Sequence, residues 1–211
     1  MTTAATALAV LTGIAAVTDW WAVWTDRERV RHVAKPATLA LLILVALTLD
    51  PVDPAIRTWM VIGLVFSLAG DVFLMGDEKW FVAGLGSFLA GHVAYIVALQ
   101  LAPTSAPGTV IGLVVVAVGI AVVGRRIVVG VASGDHQAMV VPVVAYLIVI
   151  SAMVVSAFGT TAAWAIVGAS LFYASDAILA WNRFLEPRRY GPLAVMVTYH
   201  LGQFGLVAWL V

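Results

Sequence analysis

Apolar residues along the chain gather in eight long blocks separated by short polar or charged stretches. The blocks are Ala4–Trp21, Pro36–Leu49, Ile56–Met75, Trp80–Leu101, Thr109–Val129, Gln137–Phe158, Thr161–Trp181 and Pro192–Val211. Most match the ~20 residues that a helix needs to cross hydrocarbon. The second is short, and reads as tilted, re-entrant or extended back into Ala34 and Val33. A transmembrane barrel would show ~10-residue segments alternating apolar and polar, and no such alternation is visible. Helices are the remaining solution, because lipid offers no partner to an unpaired backbone group. The pattern therefore predicts an all-α, polytopic membrane helical bundle of about eight transmembrane helices. Short connections make neighbours antiparallel and residues 1–211 a single domain.

Composition strengthens this picture. Of 211 residues 63% are hydrophobic and 10% charged, and the mean hydropathy is +1.07. A soluble domain carries ~25% charged residues; this chain could not cover a water-facing surface. It has no cysteine, which excludes disulfides, thiolate nucleophiles and thiolate metal sites. Its formal net charge of zero gives nucleic acid no purchase. The first block begins within a few residues of Met1 with no basic residue ahead of it, so it reads as a retained helix, not a cleaved signal.

Charge asymmetry sets the expected orientation. Arg27, Arg29, Arg31, Lys35, Lys79, Arg125, Arg126, Arg183, Arg188 and Arg189 fall on one side, and only Arg57 on the other. Ten against one is a strong positive-inside bias. It predicts a multi-pass protein of an inner or plasma membrane, with both termini away from the cytoplasm. Trp20, Trp21, Trp24, Trp59, Trp80 and Trp181 stand at span ends, where an aromatic belt belongs.

An ionisable side chain inside a span costs several kcal/mol unless paired or hydrated, so each is a functional candidate. Asp71 lies near the end of the third span and Asp176 at similar depth in the seventh, with no basic residue expected inside any span to neutralise them. His92 and His200 lie mid-span in the fourth and eighth, among Tyr95, Tyr146, Tyr173, Tyr199 and Gln203. Helical spacing aligns His92 with Tyr95, Tyr173 with Asp176, and Tyr199 with Gln203. Gly63, Ser67 and Gly70, then Gly84, Ser87 and Gly91, form small-residue stripes that let helices approach closely. The polar groups should thus converge in the bundle interior, open toward the cytoplasmic leaflet. Asp19 and Lys35 sit nearer the interface, Asp19 reading as a snorkelling side chain and Lys35 as an anchor.

Two carboxyl groups facing one apolar cavity do not titrate alike, and one can hold a proton while the other stays ionised. That division suits glycoside-like chemistry, and equally an enol ether: protonation of its β-carbon, an oxocarbenium ion, attack by water, and collapse to an aldehyde and an alcohol. No metal, thiol or nucleotide is required, and the chain carries neither a P-loop nor a dinucleotide fingerprint. Two other readings share these residues. One is a proton-coupled transporter using the Asp and His groups as a relay, for which Pro142 is the one mid-span proline. The other is a metal hydrolase with Asp71, Asp176, His92 and His200 as ligands.

Gly70-Asp71-Val72-Phe73-Leu74-Met75, followed by Phe81 and Gly84-Leu85-Gly86-Ser87-Phe88-Leu89-Ala90-Gly91-His92-Val93-Ala94-Tyr95, resembles the signature of the YhhN-type lysoplasmalogenase family. Ser175-Asp176-Ala177, Tyr199-His200-Leu201-Gly202-Gln203 and Lys35-Pro36 are similar to its other motifs. The resemblance covers nearly the whole chain. It implies an ether hydrolase that cleaves the vinyl ether bond of a lysoplasmalogen to a fatty aldehyde and a glycerophospho-base, without a cofactor. It also implies Asp71 and Asp176 as the catalytic pair, with His92, Tyr95, Tyr199 and Gln203 lining the site and Lys35 meeting the phosphate. Tyr146, Tyr173 and His200, the other polar groups within the spans, are expected to line the site beside them. The expected partners are then that lipid substrate and the surrounding membrane lipids.

Overall fold

The computed structural model describes residues 3–134 and 136–211, and within them every regular element is helical. Eight helices follow in order: α1 (Thr3–Trp24), α2 (Glu28–Thr48), α3 (Pro54–Leu74), α4 (Phe81–Leu101), α5 (Ala106–Ser133), α6 (Val140–Thr160), α7 (Ala163–Phe184) and α8 (Gly191–Ala208). Short 3₁₀ turns, Glu78–Trp80 and Gln137–Met139, lead into α4 and α6. Seven helices are long and apolar enough to span a membrane. The eighth, α8, is shorter, and Tyr199, His200 and Gln203 dilute its apolarity; all three point inward and are buried. The protein is a polytopic helical membrane bundle.

Local chemistry places the helix ends. Pro54 opens α3 behind Asp53, whose carboxylate accepts from the Ala55 N–H at 2.7 Å. Ser105 caps α5 by accepting from the Gly108 N–H at 3.3 Å. The α2 boundary differs from the expectation. A proline before an apolar run reads as a helix start, yet α2 begins at Glu28 and carries Pro36 inside it. In a membrane, leaving the helix costs more than the one hydrogen bond that proline removes. Pro142 is therefore not the only proline within a helix, and Lys35 is carried into the interior.

Seven helices close a ring by successive packing: α1 on α2, α2 on α3, α3 on α4, α4 on α6, α6 on α7, α7 on α8, and α8 on α1. Helix α5 leans on the outside of α6, and its last turns touch α7. The two closest seams depend on small residues. A Cβ on Gly168 of α7 would stand 2.6 Å from the Leu206 nitrogen, and one on Gly202 of α8 2.9 Å from the Phe172 nitrogen, so backbone meets backbone there. On the α3–α4 seam a Cβ at Gly70 would meet the Phe88 ring at 2.6 Å. Inside the ring, Phe172 is fully buried and receives Phe88, His92, Tyr95 and Tyr199 edge-on, with the His92 centroid 4.6 Å away. This aromatic knot fixes the side chains around the site.

Candidate active site

Helices α3 and α7 run in the same direction, and both end at the arginine-rich face of the bundle. Asp71 lies about one turn before the end of α3, and Asp176 about two turns before the end of α7. Both line one chamber of about 320 Å³, together with Lys35, Arg31, Arg183 and Tyr199. A second, almost wholly apolar cleft of about 80 Å³ lies between α4, α5, α6 and α7. Phe88, Leu74, Phe81, Leu179, Arg183 and Asp176 belong to both spaces. Asp176 thus stands where the chamber that holds the charged side chains joins the apolar cleft.

The two carboxylates have different company. Lys35 Nζ lies 3.0 Å from Asp71 Oδ1, with the two side chains 4% and 1% exposed, and the Tyr199 hydroxyl donates to Asp71 Oδ2 at 2.9 Å. A basic residue therefore does sit inside a span. Lys35 neutralises Asp71 instead of anchoring α2 at the interface. At Asp176, by contrast, the Tyr146 hydroxyl donates to Oδ2 at 2.6 Å, and His92 Nε2 stands 3.7 Å from that oxygen.

Hydrogen bonding assigns both histidine tautomers. His92 Nδ1 lies 2.7 Å from the Phe88 carbonyl oxygen. A carbonyl only accepts, so Nδ1 carries the hydrogen, and in the neutral ring Nε2 presents a lone pair to Asp176. His200 has the opposite arrangement. The Trp20 indole N–H, a donor only, points at its Nδ1 at 3.0 Å, which leaves the hydrogen on Nε2. His200 faces α1 and stacks against Trp20; it does not line the chamber.

The remaining predicted residues divide similarly. Tyr95 donates to Gln203 Oε1 at 2.7 Å, with Ser67 Oγ 3.4 Å from its hydroxyl, forming a buried strut behind the chamber. Tyr173 lines the apolar cleft beside Asp176. Asp19, expected to snorkel, is fully buried, and neither carboxylate oxygen has a hydrogen-bond partner among the described residues. Arg31 and Arg183 were missed as site residues. The i,i+4 spacing of Arg31 and Lys35 was the available signal; Arg183, paired with Glu78, carried none. Among the described residues no group of three or more His, Asp or Glu side chains could hold a metal ion. The four-ligand set considered from sequence fails because Lys35 occupies Asp71 and His200 turns to Trp20.

These features define an integral membrane bundle in which a buried carboxyl, Asp71, and a partly buried one, Asp176, line one amphipathic space. The chain belongs to the YhhN family, whose model matches residues 30–210, in agreement with the motif resemblance. It is similar to "Lysoplasmalogenase TMEM86B" of Homo sapiens, 34% identical over 66% of this chain and 58% of that one. It is also similar to "Lysoplasmalogenase" of Mycobacterium bovis, 34% identical over 71% of this chain and 58% of the relative. "Lysoplasmalogenase TMEM86B" of Mus musculus is 31% identical over 71% of this chain and 62% of its own. The matched stretch thus spans 58% of the length of the first two curated relatives. No solved structure matches.

Proposed function

We propose that this protein is a lysoplasmalogenase-like hydrolase, cleaving the vinyl ether bond of a single-chain glycerophospholipid with Asp176 as acid and Asp71 as base. The observation that carries the reading is the meeting of chamber and cleft at Asp176. An amphiphile lying across that junction has its alkenyl chain in the cleft and its head group in the chamber, with the ether carbons beside the carboxyl pair. Arg31 and Arg183 stand at the polar end as contacts for the phosphate. The relatives' printed names support the reaction class and give none to transport.

The partners of each aspartate suggest its role. Asp71, against an ammonium, is the ionised member. Among the described residues Asp176 forms no ion pair with a Lys or Arg, and it faces the His92 lone pair, so it holds the proton. Asp176 delivers that proton to the β-carbon of the vinyl ether, and the resulting oxocarbenium ion lies near the Asp71 carboxylate. Water attacks the α-carbon and gives its proton to Asp71, forming a hemiacetal. On collapse, Asp176 takes the hemiacetal hydroxyl proton, the carbon–oxygen bond to the glycerol side breaks, and Asp71 returns its proton to the departing alkoxide. Aldehyde and alcohol leave with both carboxyls in their starting states, so each turnover resets the pair. We place the site toward the cytoplasmic leaflet, because the basic end of the bundle is the inside end by charge bias.

Aldehyde release from a synthetic lysoplasmalogen by the purified protein, with an ester lysophospholipid as control, tests the reading. Release from the vinyl ether alone is expected, with Asp176→Asn folded and inactive, and Asp71→Asn inactive and less stable because it leaves Lys35 buried without its partner. Full activity in both variants would overturn the mechanism, and release from neither lipid would overturn the substrate class.

A further inference from the structure

Helix α5 is the one helix outside the ring, and the way it is held leaves a seam. Its first turns clasp α6: the Ser105 N–H donates to the Gly159 carbonyl at 2.7 Å, and a Cβ at Gly112 would stand 2.8 Å from Phe158. Its last turns meet the end of α7, where a Cβ at Gly130 would lie 2.7 Å from Leu185. Between these clamps the backbone widens into a π-turn over Ile120–Gly124, a feature that recurs at functional positions. Although α4 and α5 are consecutive, no extensive packing joins them among the described residues. Instead Val123, Gly124 and Ile127 of α5 face the apolar cleft opposite Phe81, Leu85 and Phe88 of α4.

The outer lips of this seam are apolar and turned outward. Val82 on α4 is 58% exposed, and Val122 and Val129 on α5 are each 55% exposed. In a bilayer those lips contact acyl chains. The cleft behind them has Asp176 and Arg183 at its chamber end and is otherwise lined by aliphatic and aromatic side chains that suit a hydrocarbon chain. In the chamber beyond Asp176 a second chain would lie beside the charged groups of Lys35, Arg31 and Asp71, which disfavours it.

We propose that the α4–α5 seam is a lateral portal through which one aliphatic chain passes from the hydrocarbon into the cleft, and that Val123 and Gly124 of the π-turn set its bore. This rests on the lipid-hydrolase reading for its substrate, and it assigns chain selection to a helix that touches neither head group nor reacting bond. Gly124 is suited to the role because a Cβ there would meet Leu147 Cδ2 at 3.2 Å. A larger side chain must either move Leu147 or fill the cleft. A single narrow lodging would favour single-chain over two-chain lipids.

The test compares Gly124→Leu and Val123→Phe with Val114→Phe, an exposed position of the same helix away from the seam, using a hexadecenyl lysoplasmalogen and a butenyl analogue with the same head group. The bore variants should lose about ten- to a hundredfold in kcat/KM on the long chain and stay within about twofold on the short one, while Val114→Phe should change neither. Equal loss on both substrates at an unaltered thermal midpoint, or no loss on either, would overturn the proposal. A second readout needs no turnover. The chain has no cysteine, so Leu85→Cys supplies its only thiol, and a membrane-partitioning maleimide reports access to the cleft. Protection by a choline lysophospholipid but not by a two-chain phosphatidylcholine is the expected result. Protection in a protein that releases no aldehyde would keep the portal and discard the reaction; labelling unaffected by either lipid would discard the portal.

Discussion

Replacing Lys35 by methionine keeps the length and apolar stem of the side chain and removes only its charge. Asp71 would then be left with the Tyr199 hydroxyl as its single donor, inside a helix bundle where its side chain is 1% exposed. Breaking a buried pair from one side costs about 3–5 kcal/mol, and the surviving tyrosine bond puts this case near the lower end. At about 2–4 °C per kcal/mol for a chain of this size, the thermal midpoint of the detergent-solubilised protein should fall by about 10 °C. The double variant Lys35→Met with Asp71→Asn removes both charges together. It should recover most of that loss, to within about 1 kcal/mol of the parent, and remain inactive. Tryptophan fluorescence during a temperature ramp, on parent, single and double variants, measures all three. An unchanged midpoint for Lys35→Met, or a double variant less stable than the single one, would refute the buried pair.

Tyr146→Phe deletes the hydroxyl that bonds Asp176 but keeps the ring against His92, with centroids 5.3 Å apart; it should fold normally and lose about tenfold in kcat, and an unchanged kcat would detach Tyr146 from the acid. Gly168→Val forces a branched side chain onto the α8 backbone, whose Leu206 nitrogen would lie 2.6 Å from the new Cβ; a loss of about 3 kcal/mol or more is expected, read as a broadened gel-filtration profile and a lower midpoint. Gly13→Ala is its control, since a Cβ at Gly13 meets nothing within 4 Å, and equal damage from both would deny the close seam. Asp19→Leu replaces a buried carboxylate without a hydrogen-bond partner by an apolar side chain of similar size; the midpoint should rise, by about 1–3 kcal/mol in stability terms, and a fall would mean that Asp19 has a stabilising partner in the bilayer.

The helices and the two aspartates were legible in the sequence for one reason: hydrocarbon penalises polar groups so heavily that each exception stands out. The same rule failed at Lys35, because Pro36 beside it imitates a helix start and hides eight preceding helical residues. Asp19 was misread alike, since its place near a span end suggested water where the α1–α2–α8 packing leaves none. Facing was the second obscure quantity. Tyr199 and His200 are adjacent, so about 100° separates them around α8; one reaches Asp71 and the other Trp20, and only the ring order decides which. Nor could the pattern show that α5 stands outside the ring or contains a π-turn. From Ala106 to Gly124 its residues are nearly all apolar, which leaves no periodicity from which to read a face over that stretch.

The family motifs and the geometry carry different parts of the argument. The motifs imply Asp71 and Asp176 as an undifferentiated pair with His92 and Gln203 lining the site, whereas the structure separates these residues by what each can exchange. Asp71 is tied to a cation, and Gln203 is spent on Tyr95. His200 has its one acceptor nitrogen occupied by Trp20. Asp176 alone combines a share of both cavities, a hydroxyl donor and a facing histidine lone pair. A proton that must reach carbon, and later be recovered from oxygen, needs a carboxyl that is partnered yet not locked in an ion pair. In the proposed mechanism that requirement favours Asp176 over Asp71 as the acid, on the contacts of the two residues and without appeal to their order in the chain.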